Sequence, residues 1–87
     1  IAVIYPRKNQ RIYLPMDFNE ERRKVVFEAS HRNSSETIYW HMNGVYYGQT
    51  SEIHQLEFQP EVGKHKLTLM DENGVVKTVK FEVLGKN

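Results

Sequence analysis

The fold is decided by residues 37–49, which read TIYWHMNGVYYGQ. Apolar and polar side chains alternate as far as position 42, which is the period of a strand that is buried on one face. The Asn43-Gly44 pair then supplies the two positive φ values of a type I′ turn, so that residues 45–49 return as a second strand. This stretch predicts a β-hairpin with Trp40 on its buried face, where sandwich domains often place a core aromatic.

The same alternation continues through the rest of the chain, interrupted by turn signals at the spacing of a sandwich. Further strands are predicted at residues 2–5, 11–14, 24–30, 53–59 and 64–71, and in a last segment that ends near residues 84–85. The charge-rich residues 16–23 are predicted to form a loop. About seven antiparallel strands without a convincing helix indicate an all-β, immunoglobulin-like β-sandwich. Its predicted core consists of Phe27, Ile38, Trp40, Leu56, Phe58, Leu67, Leu69, Val79, Phe81 and Val83.

Length and charge limit the range of functions. The 87 residues are enough for a single domain, predicted at 1–87, and leave little room for a deep catalytic cleft. Twelve Lys and Arg against eleven Asp and Glu give a formal net charge of +1, which is too small to indicate a nucleic-acid partner. No apolar run approaches the roughly 18 residues of a membrane span, so no membrane contact is predicted. The strand-like start without Met leads us to expect a piece of a larger protein.

No arrangement of residues predicts catalysis, a cofactor or a metal ion. One form of serine acyl transfer needs S-x-x-K and K-T-G motifs. No serine here has lysine three positions later, and Lys77-Thr78 is followed by Val79 instead of glycine. The four histidines are too widely spaced for a standard metal site; they are His31, His41, His54 and His65. We therefore predict no catalytic, cofactor-binding or metal-binding residue.

The aromatic hairpin supplies the candidate contact surface. Its residues are Tyr39, His41, Tyr46 and Tyr47. Because Trp40 is predicted to be buried, Tyr39 and one of Tyr46 or Tyr47 should point outward. Exposed aromatic rings can anchor a protein partner or stack on sugar rings. Ordinary packing between neighbouring strands is the alternative explanation for the same residues.

A wider set of residues resembles a known family. The most specific motifs are the Tyr39-Trp40 strand that leads into Asn43-Gly44, and the GKHKLTL strand at residues 63–69 that closes on Asp71 and Gly74. Further matching residues are Tyr5-Pro6, the IYLP stretch at residues 12–15, Tyr47-Gly48, His54-Gln55-Leu56, Pro60 and Phe81-Glu82-Val83. Over nearly its whole length the chain resembles the C-terminal domain family of the bifunctional penicillin-binding proteins.

The resemblance implies a parent protein anchored in the inner membrane, whose glycosyltransferase and transpeptidase domains build peptidoglycan in the periplasm. The catalytic residues of such a parent lie in those other domains, so none is carried onto this chain. The expected function is that of a non-catalytic docking or regulatory module in cell wall biogenesis. Its expected partners are the transpeptidase domain of the same chain or other envelope proteins. The alternative is a module that binds peptidoglycan or another carbohydrate.

Overall fold

The computed structural model of the chain describes residues 1–14 and 24–85, which form eight strands. The strands are β1 (Ala2–Tyr5), β2 (Gln10–Tyr13), β3 (Val25–Ser30), β4 (Ile38–Met42), β5 (Val45–Thr50), β6 (Gln55–Phe58), β7 (Gly63–Asp71) and β8 (Val76–Leu84). The loop predicted at residues 16–23 lies outside the described residues. Within the described ranges, no helix has the length and the apolar character needed to cross a membrane.

The strands form two sheets. The smaller sheet has the order β1-β3-β6, and the larger sheet has the order β2-β8-β7-β4-β5. This arrangement confirms the immunoglobulin-like sandwich, with two differences in detail. There are eight strands instead of about seven, and β2 pairs with β8 in parallel, whereas an antiparallel arrangement was predicted.

The parallel pair arises because the chain crosses from the small sheet to the large sheet between β1 and β2. β1 pairs with β3 in the small sheet and ends before Pro6, which has no backbone N–H to donate to a ladder. A short polar turn follows, in which the Gln10 N–H donates to the Arg7 carbonyl at 3.0 Å. The chain then joins the large sheet as β2, where it runs beside β8 in the same direction.

The core lies between the sheets and is formed by alternate side chains of the strands. Eight of the ten predicted core residues belong to one buried cluster, together with Ile12, Ala29 and Met42. Val79 is also buried, while Leu56 is partly buried and packs against the cluster. Trp40 is fully buried, and its ring centroid lies 6.2 Å from that of Phe58 in the opposite sheet.

The hairpin between β4 and β5 has the predicted turn. Asn43 has a φ of 53° and Gly44 a φ of 84°, which confirms the pair of positive φ values expected of type I′. The strand predicted at residues 53–59 is shorter, since β6 begins only at Gln55. Before it, the Ile53 N–H donates to the Ser51 carbonyl at 2.8 Å, which closes a tight turn and leaves the Ile53 side chain 72% exposed.

Candidate functional site

Two of the four candidate contact residues lie in the middle of the large sheet. On β4, Tyr39 and His41 occupy the face opposite Trp40, and both are half-buried. β4 lies between β5 and β7, so each ring has neighbours on both sides. The Nδ1 atom of His41 is buried and has no hydrogen-bond partner within residues 1–14 and 24–85. These two residues therefore contribute only part of their rings to the surface.

The other two candidates lie on β5 and are separated by a β-bulge. Tyr46 is opposite His41, and the two rings meet edge to face with centroids 5.5 Å apart. The register shifts at this point, so that Tyr47 has no residue opposite it. The Tyr47 ring packs instead against Phe58 of the small sheet, with centroids 5.0 Å apart. The bulge thus places the two tyrosines on different sides of β5, and both remain more than half exposed.

β5 forms one edge of the large sheet. Its sequence, VYYGQT, contains no charged residue and no proline. Sheet edges in soluble proteins are usually protected by lysine, proline, bulges or very short strands. Here only the bulge is present, and the first three side chains, Val45, Tyr46 and Tyr47, are exposed by 60%, 53% and 54%. We call Val45–Thr50 the β5 edge; it can accept another strand.

A small hollow adjoins the β5 edge where the two sheets part. It has a volume of about 220 Å³ and is lined in part by Met42, Tyr47, Phe58, Pro60 and His65. Tyr47 forms one wall, while Met42 and Phe58 are core residues that reach the opening. The hollow is therefore large enough for one side chain of a partner that docks on the edge.

A buried hydrogen-bond chain holds the far end of β5 in place. The Trp40 Nε1–H donates to the Thr50 hydroxyl at 2.8 Å, and that oxygen lies 2.8 Å from His54 Nδ1. His54 Nε2 lies 2.9 Å from the Ser34 carbonyl, which can only accept, so Nε2 carries the proton of the neutral ring. Nδ1 then accepts from Thr50. These hydrogen bonds join β4 and β5 of the large sheet to the segment before β6 and to the loop between β3 and β4.

A second polar cluster joins that loop to the β7–β8 hairpin. His31 Nε2 lies 3.0 Å from Asp71 Oδ2 and 3.6 Å from Glu36 Oε2, and all three side chains are largely buried. The hydrogen bond from His31 is the main reason that the pKa of Asp71 lies below its usual value. The backbone N–H groups of Val75 and Asn73 lower the pKa further, whereas burial opposes them.

The same three residues have the composition of a metal site, because their ligand atoms all lie within 4.8 Å of one another. The hydrogen bonds around His31 do not fit that role. The Asn33 N–H donates to His31 Nδ1 at 2.9 Å, so the neutral ring keeps its proton on Nε2, which faces the carboxylates. A metal-binding histidine normally donates from the nitrogen that does not bind the metal. The cluster is therefore best explained as a structural connection between two loops.

Sequence reasoning identified the aromatic hairpin but missed both polar clusters. His31 and Asp71 are 40 positions apart, and His54 and Ser34 are 20 apart. No spacing rule for strands or metal sites links residues at such distances. The only available signal was the Asp-Glu-Asn-Gly turn at residues 71–74, where an Asp commonly accepts from the backbone of its own turn.

Comparisons with known proteins agree with this architecture. Among solved structures, the chain is similar to the fibronectin(III)-like modules of Clostridium thermocellum CbhA, with a TM-score of 0.72 and 15% identity over 100% of this chain and 99% of that chain. At this identity the likeness shows the fold alone. No curated protein matches the chain. The profile of the Penicillin-Binding Protein C-terminus Family matches residues 1–81. The chain therefore belongs to the penicillin-binding protein C-terminus family.

Proposed function

We propose that this domain is a non-catalytic docking module of a peptidoglycan-synthesising penicillin-binding protein, and that it acts on the outer side of the inner membrane. Membership of the C-terminus family supports an accessory role in such a parent. The observation that carries the docking function is the β5 edge, which is uncharged, half exposed and rich in aromatic side chains.

The β5 edge supports recognition by strand addition. An edge strand offers backbone N–H and C=O groups that pair with an extended segment of a partner. Tyr46 and Val45 provide apolar area beside that ladder, and the hollow next to Tyr47 receives one side chain of the incoming segment. The partner is the transpeptidase domain of the same parent chain or another envelope protein.

The contacts of the polar clusters support a role without catalysis. His31, His54 and His65 each use both ring nitrogens in hydrogen bonds that fix loops or turns. A general base must have a free nitrogen within reach of a substrate proton. These three histidines are therefore engaged in holding the fold, whereas Nδ1 of His41, which has no partner within the described part of the chain, is buried and out of contact with solvent.

A second candidate function is binding to peptidoglycan. The exposed rings of Tyr46 and Tyr47 favour it, because aromatic faces stack on sugar rings. The bulge places these rings on different sides of β5, so each offers a separate platform instead of one continuous surface. This arrangement suits a strand-like protein partner better than a glycan chain.

The docking function is tested by retention of the purified transpeptidase portion of the parent on the immobilised 87-residue chain. Val45→Lys places a charge on the β5 edge and should abolish retention. Val75→Lys adds the same charge at another exposed valine, outside β5, and should leave retention intact. Retention that Val45→Lys does not reduce would contradict a docking role for this edge.

Sedimentation with purified peptidoglycan sacculi distinguishes glycan binding from protein docking. The docking proposal expects the chain to stay in solution. Co-sedimentation that Tyr46→Ala or Tyr47→Ala removes would instead establish the carbohydrate function. Neither tyrosine belongs to the buried cluster, but Tyr47→Ala also removes the ring contact with Phe58, so circular dichroism must show that this variant is folded.

A further inference from the structure

A cationic trough crosses the outer face of the large sheet, at the end where β7 begins. It has a volume of about 520 Å³ and is open to solvent over much of its length. Its charged lining consists of Arg11 of β2, Lys64 and Lys66 of β7, and Lys80 and Glu82 of β8. Four positive side chains and one negative side chain give the trough a formal charge of +3, whereas the whole chain has +1.

The pairing of β7 with β8 concentrates this charge. Lys66 lies directly opposite Lys80 in the antiparallel register, so their Cβ atoms are roughly 5 Å apart. Like charges in this position destabilise a sheet. In the next row, Lys64 is opposite Glu82, which is 3.8 Å from Arg11 Nε. The Lys66–Lys80 row therefore has no carboxylate within its own pair and presents two ammonium groups to the solvent.

The lining indicates which kind of anion would fit. Compact phosphate sites are typically built from backbone N–H groups at helix N-termini and from Arg forks. The trough instead offers long, flexible lysines spread over an open surface around the single carboxylate of Glu82. The spread of these lysines suits carboxylates carried along an extended peptide, and complementary charge of this kind orients protein partners.

We propose that this trough binds an acidic segment of a protein partner, whose carboxylates reach Lys66 and Lys80. The proposal rests on the docking function and adds a second contact, on the face of the same sheet that ends in the β5 edge. The lysine charges orient the partner and raise its association rate, while the backbone of the β5 edge pairs with a strand of the partner.

The test is an NMR titration of the 87-residue chain with a hexaglutamate peptide. We expect saturable shifts of backbone amides in β7 and β8 around Lys66 and Lys80. Replacing both lysines with glutamine should weaken binding about fivefold, since two exposed ion pairs are lost. The control Lys24→Gln/Lys77→Gln removes the same charge outside the trough and should change the affinity less than twofold, roughly the scatter expected of screened surface charge.

Three outcomes would overturn the proposal. One is the absence of saturable shifts in β7 and β8, and another is equal weakening by the trough variant and the control. The third is binding of inorganic polyphosphate at these residues where hexaglutamate fails to bind, which would indicate a phosphate ligand. Because the titration uses only the peptide, it reports on the trough even if the transpeptidase portion is not retained at the β5 edge.

Discussion

Thr50 is the residue on which the buried polar chain depends. Its single hydroxyl accepts from Trp40 Nε1–H and donates to His54 Nδ1, so one oxygen satisfies two ring nitrogens. A buried donor or acceptor without a partner costs about 1–3 kcal/mol of stability. The hydroxyl therefore matters more than the size of the side chain.

We expect Thr50→Val to lower the free energy of unfolding by about 2 kcal/mol, because it keeps the shape but leaves both ring nitrogens unpaired. Thr50→Ser retains the hydroxyl and should cost less. Urea denaturation followed by tryptophan fluorescence measures both, and Trp40 is the only tryptophan in the chain. Equal losses for the two variants would show that the methyl group, and not the hydrogen bonds, stabilises this region.

At the scale of elements, the β7–β8 pair combines the longest strands with an unfavourable charge contact. Each strand has nine residues, and their ladder runs from Gly63 opposite Val83 to Met70 opposite Val76. Within it, Lys66 and Lys80 oppose each other. A long ladder tolerates one such pair because the rest of its contacts are favourable.

Lys80→Glu should stabilise the domain by about 0.5 kcal/mol, because it turns a repulsive cross-strand pair into an attractive one. Lys77→Glu changes the net charge equally, but residue 77 is opposite Leu69. Lys77→Glu should therefore raise the free energy of unfolding by less than Lys80→Glu does. Denaturant midpoints at low salt measure the difference, which added salt should shrink. A larger gain from Lys77→Glu would contradict the assigned register.

The elements themselves were predictable to different degrees. Period-2 alternation predicted the strands, because whether a side chain faces the core is decided locally along each strand. The pairing of β2 with β8 was not predictable, since Gln10 and Phe81 are far apart in sequence and no local pattern links them. Nor could the alternation show on which side of β5 Tyr47 would lie, because the bulge shifts the register after Tyr46.

For the whole molecule, the His31–Asp71 contact connects the loop between β3 and β4 to the β7–β8 hairpin. Asp71 also accepts from the backbone N–H groups of Asn73 and Val75, at 2.9 Å each. These bonds stabilise the ionised carboxylate, so its pKa is lower in the folded state than the ordinary value of 3.8. The resulting stability is present above pH 3.8 and is lost as the pH falls through the folded pKa.

Asp71→Asn should therefore make the domain less stable at neutral pH and reduce the loss of stability below about pH 4, because the titrating carboxylate is gone. The matched control is Glu57→Gln, which removes an exposed carboxylate that pairs with Lys24. In Glu57→Gln, the free energy of unfolding should fall at low pH (the acid limb of the stability curve) nearly as it does in the unmodified chain. Denaturant unfolding at several pH values provides the measurement, and an acid limb unchanged in Asp71→Asn would refute the assignment.

The parallel pairing of β2 with β8 has a mechanical consequence. Once tension between the two ends of the chain has separated β1 from β3, it draws β2 toward its first residue and β8 toward its last. Because the strands run in the same direction, these forces act along the strand axis in opposite senses. The backbone hydrogen bonds between β2 and β8 are then loaded together in shear instead of breaking one after another. This short ladder should therefore resist mechanical unfolding.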